Sequence, residues 1–224
     1  IGGRPYFEVE PDRPRGAAKT STAGTAAAAK PLSFSEAMSR TAAQLNVTQY
    51  VLGAAAVALL LNLETDEETV MIGSQVSGRY DEALEPLIGV FINNLVLRFD
   101  IDRKATFREH VASVAASVAG ALEHRNMPFN RLVELVNPVR DAARNPLISV
   151  NFNLQKAFME DRAYGEFELV SRPSLSPGAI FDLNFFMVGR PDGWRLTLEY
   201  NSDLFSGETA ERLLANWQAT YDKV

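Results

Sequence analysis

The spacing of apolar residues along the chain predicts five helices. Two of them follow capping boxes, Ser33 to Glu36 and Thr106 to Glu109, in which a Ser or Thr and a Glu three residues later satisfy free amides of a first turn. The first box predicts a helix from Phe34 to about Asn46. After the second box, one helical face carries Phe107, Val111, Val114, Val118 and Leu122.

The other three helices have simpler start signals. Thr48 is a candidate N-cap for a helix through Leu61, and its apolar residues on every side predict burial all round. Pro128 suits the first turn of a short helix through Val136, because proline lacks an amide that would be unpaired there. Ser206 is a candidate N-cap for a last helix with an inward face of Ala210, Leu213, Leu214, Trp217 and Tyr221.

Short apolar runs and alternation predict the strands. Val70 to Gly73 is an apolar run, residues 94–99 alternate, and two more alternating segments flank the turn sequence Arg190 to Gly193 and predict a hairpin. Residues 75–89 predict an extended loop. Because helices and strands intermingle without a strict βαβ repeat, we expect an α/β fold of the α+β two-layer type, a mixed sheet covered by helices on one face.

The sharpest alternation lies in residues 147–155. One face carries Ile148, Val150, Phe152 and Leu154, and the other carries Ser149, Asn151, Asn153 and Gln155. This pattern predicts a strand with one buried face. The polar face has two open interpretations, an ordinary solvated sheet face or the lining of a cleft.

Composition narrows the classes of function. The 224 residues are 46% apolar and carry a formal charge of −6 with no cluster of Lys and Arg, which argues against a nucleic-acid partner. The absence of cysteine excludes disulfides and thiolate sites and fits a cytoplasmic protein. The most apolar stretch, Tyr50 to Leu61, is shorter than the roughly 20 residues of a membrane-spanning helix, so no membrane association is expected.

The N-terminal region has few bulky apolar side chains. Residues 11–31 are rich in Ala, Thr, Ser, Gly and Pro and predict a linker, within which residues Gly24 to Leu32 can form a short edge strand. The chain also starts without an initiator methionine or a signal-peptide profile, so we expect a piece of a longer protein.

The residues alone predict no self-contained active site and no metal site. The two histidines are His110, expected to be solvated because it lies off the apolar stripe, and His124, expected to be structural at a helix end. Their spacing does not suit metal binding, and no glycine pattern predicts a phosphate loop.

Three segments resemble motifs of nonribosomal peptide synthetase condensation domains. Residues 88–98, IGVFINNLVLR, are similar to IGxFVNTLxLR; residues 124–130, HRNMPFN, to HQDYPFE; and residues 140–147, RDAARNPL, to RDxSRNPL. Shorter similarities occur at residues 10–15, 72–79, 181–185 and 198–205. The joint order and spacing identify the chain as resembling this family.

The resemblance implies a two-lobed protein in which two chloramphenicol-acetyltransferase-like lobes form a V around a tunnel. Residues 1–32 would be the end of the first-lobe segment and the interlobe linker, and residues 33–224 the C-terminal lobe. In the family, an acceptor amine attacks a donor thioester, and both are carried on phosphopantetheine arms of carrier proteins. The catalytic histidine belongs to HHxxxDG in the first lobe. Because this motif is absent here, the isolated chain is expected to be inactive.

The resemblance also implies roles for individual residues. Arg79 and Asn145 would face the tunnel or the other lobe, whereas Asn93, Arg140, Asp141 and Arg144 would fix backbone and loops. Residues 79–89 and 174–181 would correspond to bridging floor and latch elements. Expected partners are the N-terminal lobe, peptidyl or aminoacyl carrier proteins and an adjacent adenylation domain, with no directly bound cofactor.

Two alternatives stay open at this point. The chain could be a noncatalytic condensation-like module that recruits a carrier protein or a tailoring enzyme, or part of a related epimerisation, cyclisation or acyltransferase domain. Without its partner lobe, exposed bridge surface predicts a tendency to associate.

Overall fold

The computed structural model describes residues 7–79, 81–156, 162–169 and 178–222. In these ranges the helices are α1 Leu32–Leu45, α2 Gln49–Thr65, α3 Phe107–Glu123, α4 Phe129–Val136 and α5 Gly207–Asp222. The strands are β1 Ala23–Pro31, β2 Thr69–Ser77, β3 Ile92–Asp100, β4 Val150–Lys156, β5 Arg162–Tyr164, β6 Phe167–Leu169, β7 Leu183–Arg190 and β8 Gly193–Asn201. Sequence patterns did not predict the short β5–β6 hairpin.

Six strands form one mixed sheet in the order β1-β8-β7-β4-β2-β3. Strand β4 runs parallel to both β7 and β2, and the other neighbours are antiparallel. Strands β7 and β8 form the predicted hairpin. The predicted α/β architecture is therefore confirmed.

The main core lies between the sheet and four helices, α1, α2, α3 and α5. Helix α2 is buried on every side, as its composition predicted, and Ala54, Ala55, Val57, Ala58 and Leu61 have no exposed surface. The Phe185 ring meets Trp217 of α5 edge-on, with 5.1 Å between ring centroids. A smaller cluster on the opposite face joins α4 to Leu147, Ile148 and Phe181. Helix α4 therefore covers part of the second face.

The edge strand expected within residues 11–31 is present as β1. Residues 23–31 pair with β8 over nine positions, close to the expected bounds of residues 24–32. Backbone pairing needs no bulky side chain, which is why a run of alanines can form this strand. The chain enters α1 directly from Pro31, and Ser33 therefore lies inside the helix. The Ser33–Glu36 capping box does not form.

Two strands differ in extent from the prediction. Strand β2 continues to Ser77, so residues 75–77 belong to the sheet and not to a loop. Strand β4 begins only at Val150, because Leu147 has a φ of 63° and turns the chain before it. Ile148 consequently packs in the smaller cluster and not on the face of Phe152.

Three predicted helix starts are confirmed by their hydrogen bonds. The Thr48 side chain accepts from the amide of Val51 at 3.2 Å, and Ser206 accepts from Thr209 at 3.1 Å. At α3, Glu109 accepts from the Thr106 amide at 2.7 Å while Thr106 accepts from the Glu109 amide at 3.3 Å.

No single helix in the described ranges has the length and apolar character needed to cross a membrane; α1 and α2 meet that criterion only as a pair bent by 96°.

Candidate functional site

Arg79 holds the loop that follows β2. Its guanidinium donates to the carbonyls of Leu84, Leu87 and Gly89, with distances of 2.8 Å to Leu87 and 3.1 Å to Gly89. It also lies 4.2 Å from the centroid of the Phe91 ring, a cation–π contact. Arg79 thus fixes the segment expected to form the floor element. A role toward a tunnel stays a prediction.

Asn93 joins two of the family-like motifs. Its side-chain nitrogen donates to the carbonyls of Arg125 and Met127 at 2.8 and 2.7 Å, and its oxygen accepts from the amide of Phe129 at 3.1 Å. Phe129 is the first residue of α4, where the helix has no side-chain cap of its own at Pro128. Asn93 therefore supplies from β3 a hydrogen bond that α4 lacks at its start.

A charged cluster, which we call the clasp, connects three distant parts of the chain: Glu8, Arg15, Asp141, Arg144 and Asp182. Arg15 forms ion pairs with Asp182 at 2.7 Å and Glu8 at 3.0 Å. Arg144 pairs with Glu8 and, at 3.0 Å, with Asp141. The hydrogen bond from the Ala143 amide and the nearby Arg144 lower the pKa of Asp141.

The clasp orients the turn that contains Asn145. The Asn145 side chain donates to the carbonyl of Ile180 at 2.6 Å, and Lys19 donates to the same oxygen. Arg140, in contrast, is exposed and lines a shallow cavity of about 200 Å³ with Asp141 and Arg144. Of the predicted latch, only residues 178–181 lie within the described ranges.

The charged N-terminal segment also holds the start of α5, which the sequence did not indicate. Asp12 accepts from the amide of Ser206 at 2.7 Å and from the Thr209 hydroxyl at 3.0 Å. Burial opposes ionisation of Asp12, but the hydrogen bonds from Ser206 and Thr209 outweigh it and lower the pKa of this carboxyl. Residues 12–15 therefore connect the start of α5 to the clasp. The feature of the sequence that could have indicated this contact is the group of charged residues at positions 12, 13 and 15.

Polar side chains on the sheet face opposite the main core form a continuous hydrogen-bonded row. We call this row the amide ladder; its members are Asn94, Gln75, Asn151, Asn153 and Asn184, and it ends at Glu199. Gln75 donates to Asn94 at 2.9 Å and Asn151 at 3.0 Å, and accepts from Asn151 at 3.1 Å and Asn153 at 2.8 Å. Asn151 also donates to Asn184 at 2.8 Å.

The amide ladder shows that the polar face of β4 is not an ordinary solvated sheet face along its whole length. Asn151 and Ser149 are buried, so this part of the face is not solvated. Each buried amide has hydrogen-bond partners, which removes most of the cost of burying it. At the ladder's end burial raises the pKa of Glu199, and the hydrogen bond from Asn184 offsets this only in part.

Neither histidine has the environment of a catalytic base. His110 is 7% exposed, so the expectation that it is solvated is wrong. Its Nε2 donates to the carbonyl of Ala55 in α2 at 3.0 Å, and burial lowers its pKa while that hydrogen bond raises it in part. His124 lies at the C-cap of α3, with its amide bonded to Ala121.

Fold and motifs together define an α/β unit around a six-stranded mixed sheet, in which side-chain hydrogen bonds join the family-like sequence segments to one another. The model of the Condensation domain family matches residues 4–224. The chain belongs to the condensation domain family.

Sequence relatives are large synthetases. The chain is 34% identical over 215 residues to phosphinothricin tripeptide synthetase PhsB of Streptomyces viridochromogenes, covering 95% of the chain and 18% of the relative. It is 32% identical over 215 residues to bacitracin synthase 1 of Bacillus licheniformis, covering 95% of the chain and 4% of the relative. The chain therefore spans a small part of these curated relatives.

Solved structures agree with the family. A four-domain nonribosomal peptide synthetase, holo-AB3403, superimposes with a TM-score of 0.89 at 25% identity, covering 96% of this chain and 18% of that one. The X-domain from teicoplanin biosynthesis has a TM-score of 0.88 at 26% identity, covering 100% of this chain and 51% of that one. The chain thus corresponds to about half of the X-domain structure.

Proposed function

We propose that the chain is the C-terminal lobe of a condensation domain and forms one wall of a tunnel in which an acceptor aminoacyl amine attacks a donor acyl thioester. Both substrates would arrive on phosphopantetheine arms of carrier proteins. Residues 33–224 would be the lobe, and residues 1–32 would come from the first lobe and its connection. A neighbouring adenylation domain and a cytoplasmic location belong to the same proposal.

The observation that carries this proposal is the way the structure joins the family-like motifs. The clasp ties residues 8–15 to the RDAARNPL turn and to the start of β7, and Asn93 ties the IGVFINN strand to the segment after His124. Bond formation between two tethered reactants depends on holding amine and carbonyl close together. A rigidly fastened wall suits that task.

The proton-handling group would come from outside this chain. His110 is buried and its Nε2 is engaged by Ala55, so it cannot reach a substrate. We therefore assign this lobe to positioning, with Arg79 and Asn145 directed toward the tunnel or the other lobe.

The test uses carrier proteins loaded with a donor acyl group and an acceptor amino acid, with the amide product measured by mass spectrometry. The parent protein should form the amide and the 224-residue chain alone should not. In the parent protein, Asn145→Ala should lower kcat/KM about 10- to 100-fold through misplacement of the turn. The matched control is Gln44→Ala, at an exposed site on α1 outside the family-like motifs. Amide formation by the chain alone would contradict the proposal.

A second candidate is a recruiting module without turnover. The likeness to the X-domain favours it, since that domain has also been solved as a complex with OxyB from teicoplanin biosynthesis. Saturable binding of a loaded carrier or a tailoring enzyme, with no amide formed by the parent protein, would select this candidate over the first.

A further inference from the structure

The sheet opens between β2 and β4. These parallel strands pair at a single position, Gly73 with Asn151, whereas β4 and β7 pair over seven positions. A cavity of about 530 Å³ lies beyond that pair, against Ser74, Gln75 and Val76 of β2 and Asn153 and Leu154 of β4. The two strand edges therefore face a cavity where a backbone ladder would otherwise continue.

The walls of this wedge cavity are uncharged. Helices α2 and α3 and strand β3 supply mostly aliphatic side chains, including Val51, Leu95, Leu97, Val118 and Leu122. The lining contains no Asp, Glu, Lys, Arg or His among the described residues. Its volume falls within the range of about 300–1,000 Å³ found for small-molecule sites.

Polar groups occupy only the rim of the wedge. Gln75 uses both its donors and both acceptor positions within the amide ladder, so it is fixed in place. The Asn153 nitrogen donates to Gln75. The Tyr50 hydroxyl is buried beside Ser74. The cavity therefore presents mainly an apolar wall to a ligand.

We propose that the wedge cavity binds the uncharged apolar side chain or acyl chain of a carrier-bound substrate. This inference rests on the proposed function and names its substrate class.

The cavity reaches the surface beside Ala119 of α3, which allows a steric test without disturbing the core. Ala119 is exposed and lines the cavity, whereas Ala116, also exposed on α3, does not line it. Ala119→Phe should fill the entrance and Ala116→Phe should leave it open. Calorimetry on the parent protein would measure binding of N-acetyl-leucine methylamide and of N-acetyl-aspartate methylamide.

We expect saturable binding of the leucine probe, at least tenfold weaker binding of the aspartate probe because its carboxylate finds no counter-charge, and a tenfold loss of leucine-probe affinity in Ala119→Phe only. Absent leucine-probe binding, equal affinities for the two probes, or equal behaviour of the two variants would each overturn the proposal. If Ala119→Phe does not fold, Leu122→Lys tests the same entrance, because Leu122 lines the cavity. The matched control is Leu135→Lys, and both leucines are exposed.

The same variants in the condensation assay separate the two proposals. Probe binding as expected with no amide formed by the wild-type parent protein would support the cavity and contradict the proposed function. Amide formation with an unchanged preference for apolar over acidic donors in both phenylalanine variants would support the function and contradict the cavity.

Discussion

The two faces of the central sheet are built on different principles. The face toward α1, α2, α3 and α5 carries large apolar side chains such as Phe152 and Phe185, both without exposed surface. The opposite face carries the amide ladder, in which Asn151 is equally buried. One face gains stability from the removal of apolar surface from water, whereas the other must satisfy each polar group it buries.

The wedge cavity lies where the two faces meet. Its aliphatic walls, including Leu95, Leu97 and Val118, belong to the main core on the helix-covered face, whereas Gln75 and Asn153 belong to the amide ladder. The ladder holds these two side chains in fixed positions at the opening between β2 and β4. The proposed site therefore takes its apolar wall from one face and its polar rim from the other.

The largest effect is expected from Phe185→Ala, on the helix-covered face. Removing this ring leaves a cavity beside Trp217 and should lower the free energy of unfolding by about 3–5 kcal/mol. The matched control is Phe186→Ala, since this neighbouring residue lies on the other face and is only half-buried. Urea titration followed by circular dichroism measures both. Equal losses for the two variants would contradict the asymmetry between the faces.

A smaller effect is expected from Asn151→Ala, at the centre of the amide ladder. The change leaves polar groups of Gln75 and Asn184 unpaired in a buried setting and should cost about 2–3 kcal/mol. Gln155→Ala, at an exposed position on the same strand, is the control and should change stability by less than about 0.5 kcal/mol. A loss no larger than that of the control would mean that the ladder is not needed for folding.

The sequence predicted those parts of the fold that depend on local spacing. The capping box at Thr106, the N-caps at Thr48 and Ser206, and the turn between β7 and β8 all lie within a few residues, and each is present. The box at Ser33 failed because its helix begins two residues earlier than expected, directly from β1.

The candidate site depends on contacts between distant residues and was predictable only through motifs. Residue similarity singled out Asn93 and Arg144, but the partners of Asn93 lie 32 to 36 positions away and Glu8, one partner of Arg144, lies 136 positions away. The ladder requires strand order and register, which alternation within a single strand cannot supply. The prediction that His110 is solvated was wrong because α2 is buried on every side. Helix α2 therefore contacts α3 outside the apolar stripe of α3, at the position of His110.

The smallest expected effect is the change in stability with pH that comes from His110, which is buried in the helices that cover one face. His110 has a pKa below its ordinary value because of burial, so at low pH the unfolded chain binds a proton that the folded chain resists. The contribution of His110 to stability should be constant above about pH 6.5 and should fall as the pH decreases below it, by no more than about 1.4 kcal/mol per pH unit for this one proton. His110→Gln should remove this part of the pH dependence, and His124→Gln, at an exposed site, should retain it. Urea titrations at about pH 7.5 and 5.5, on either side of the ordinary histidine pKa, measure the slope. An unchanged slope in His110→Gln would show that this pH dependence comes from other groups and would contradict its assignment to His110.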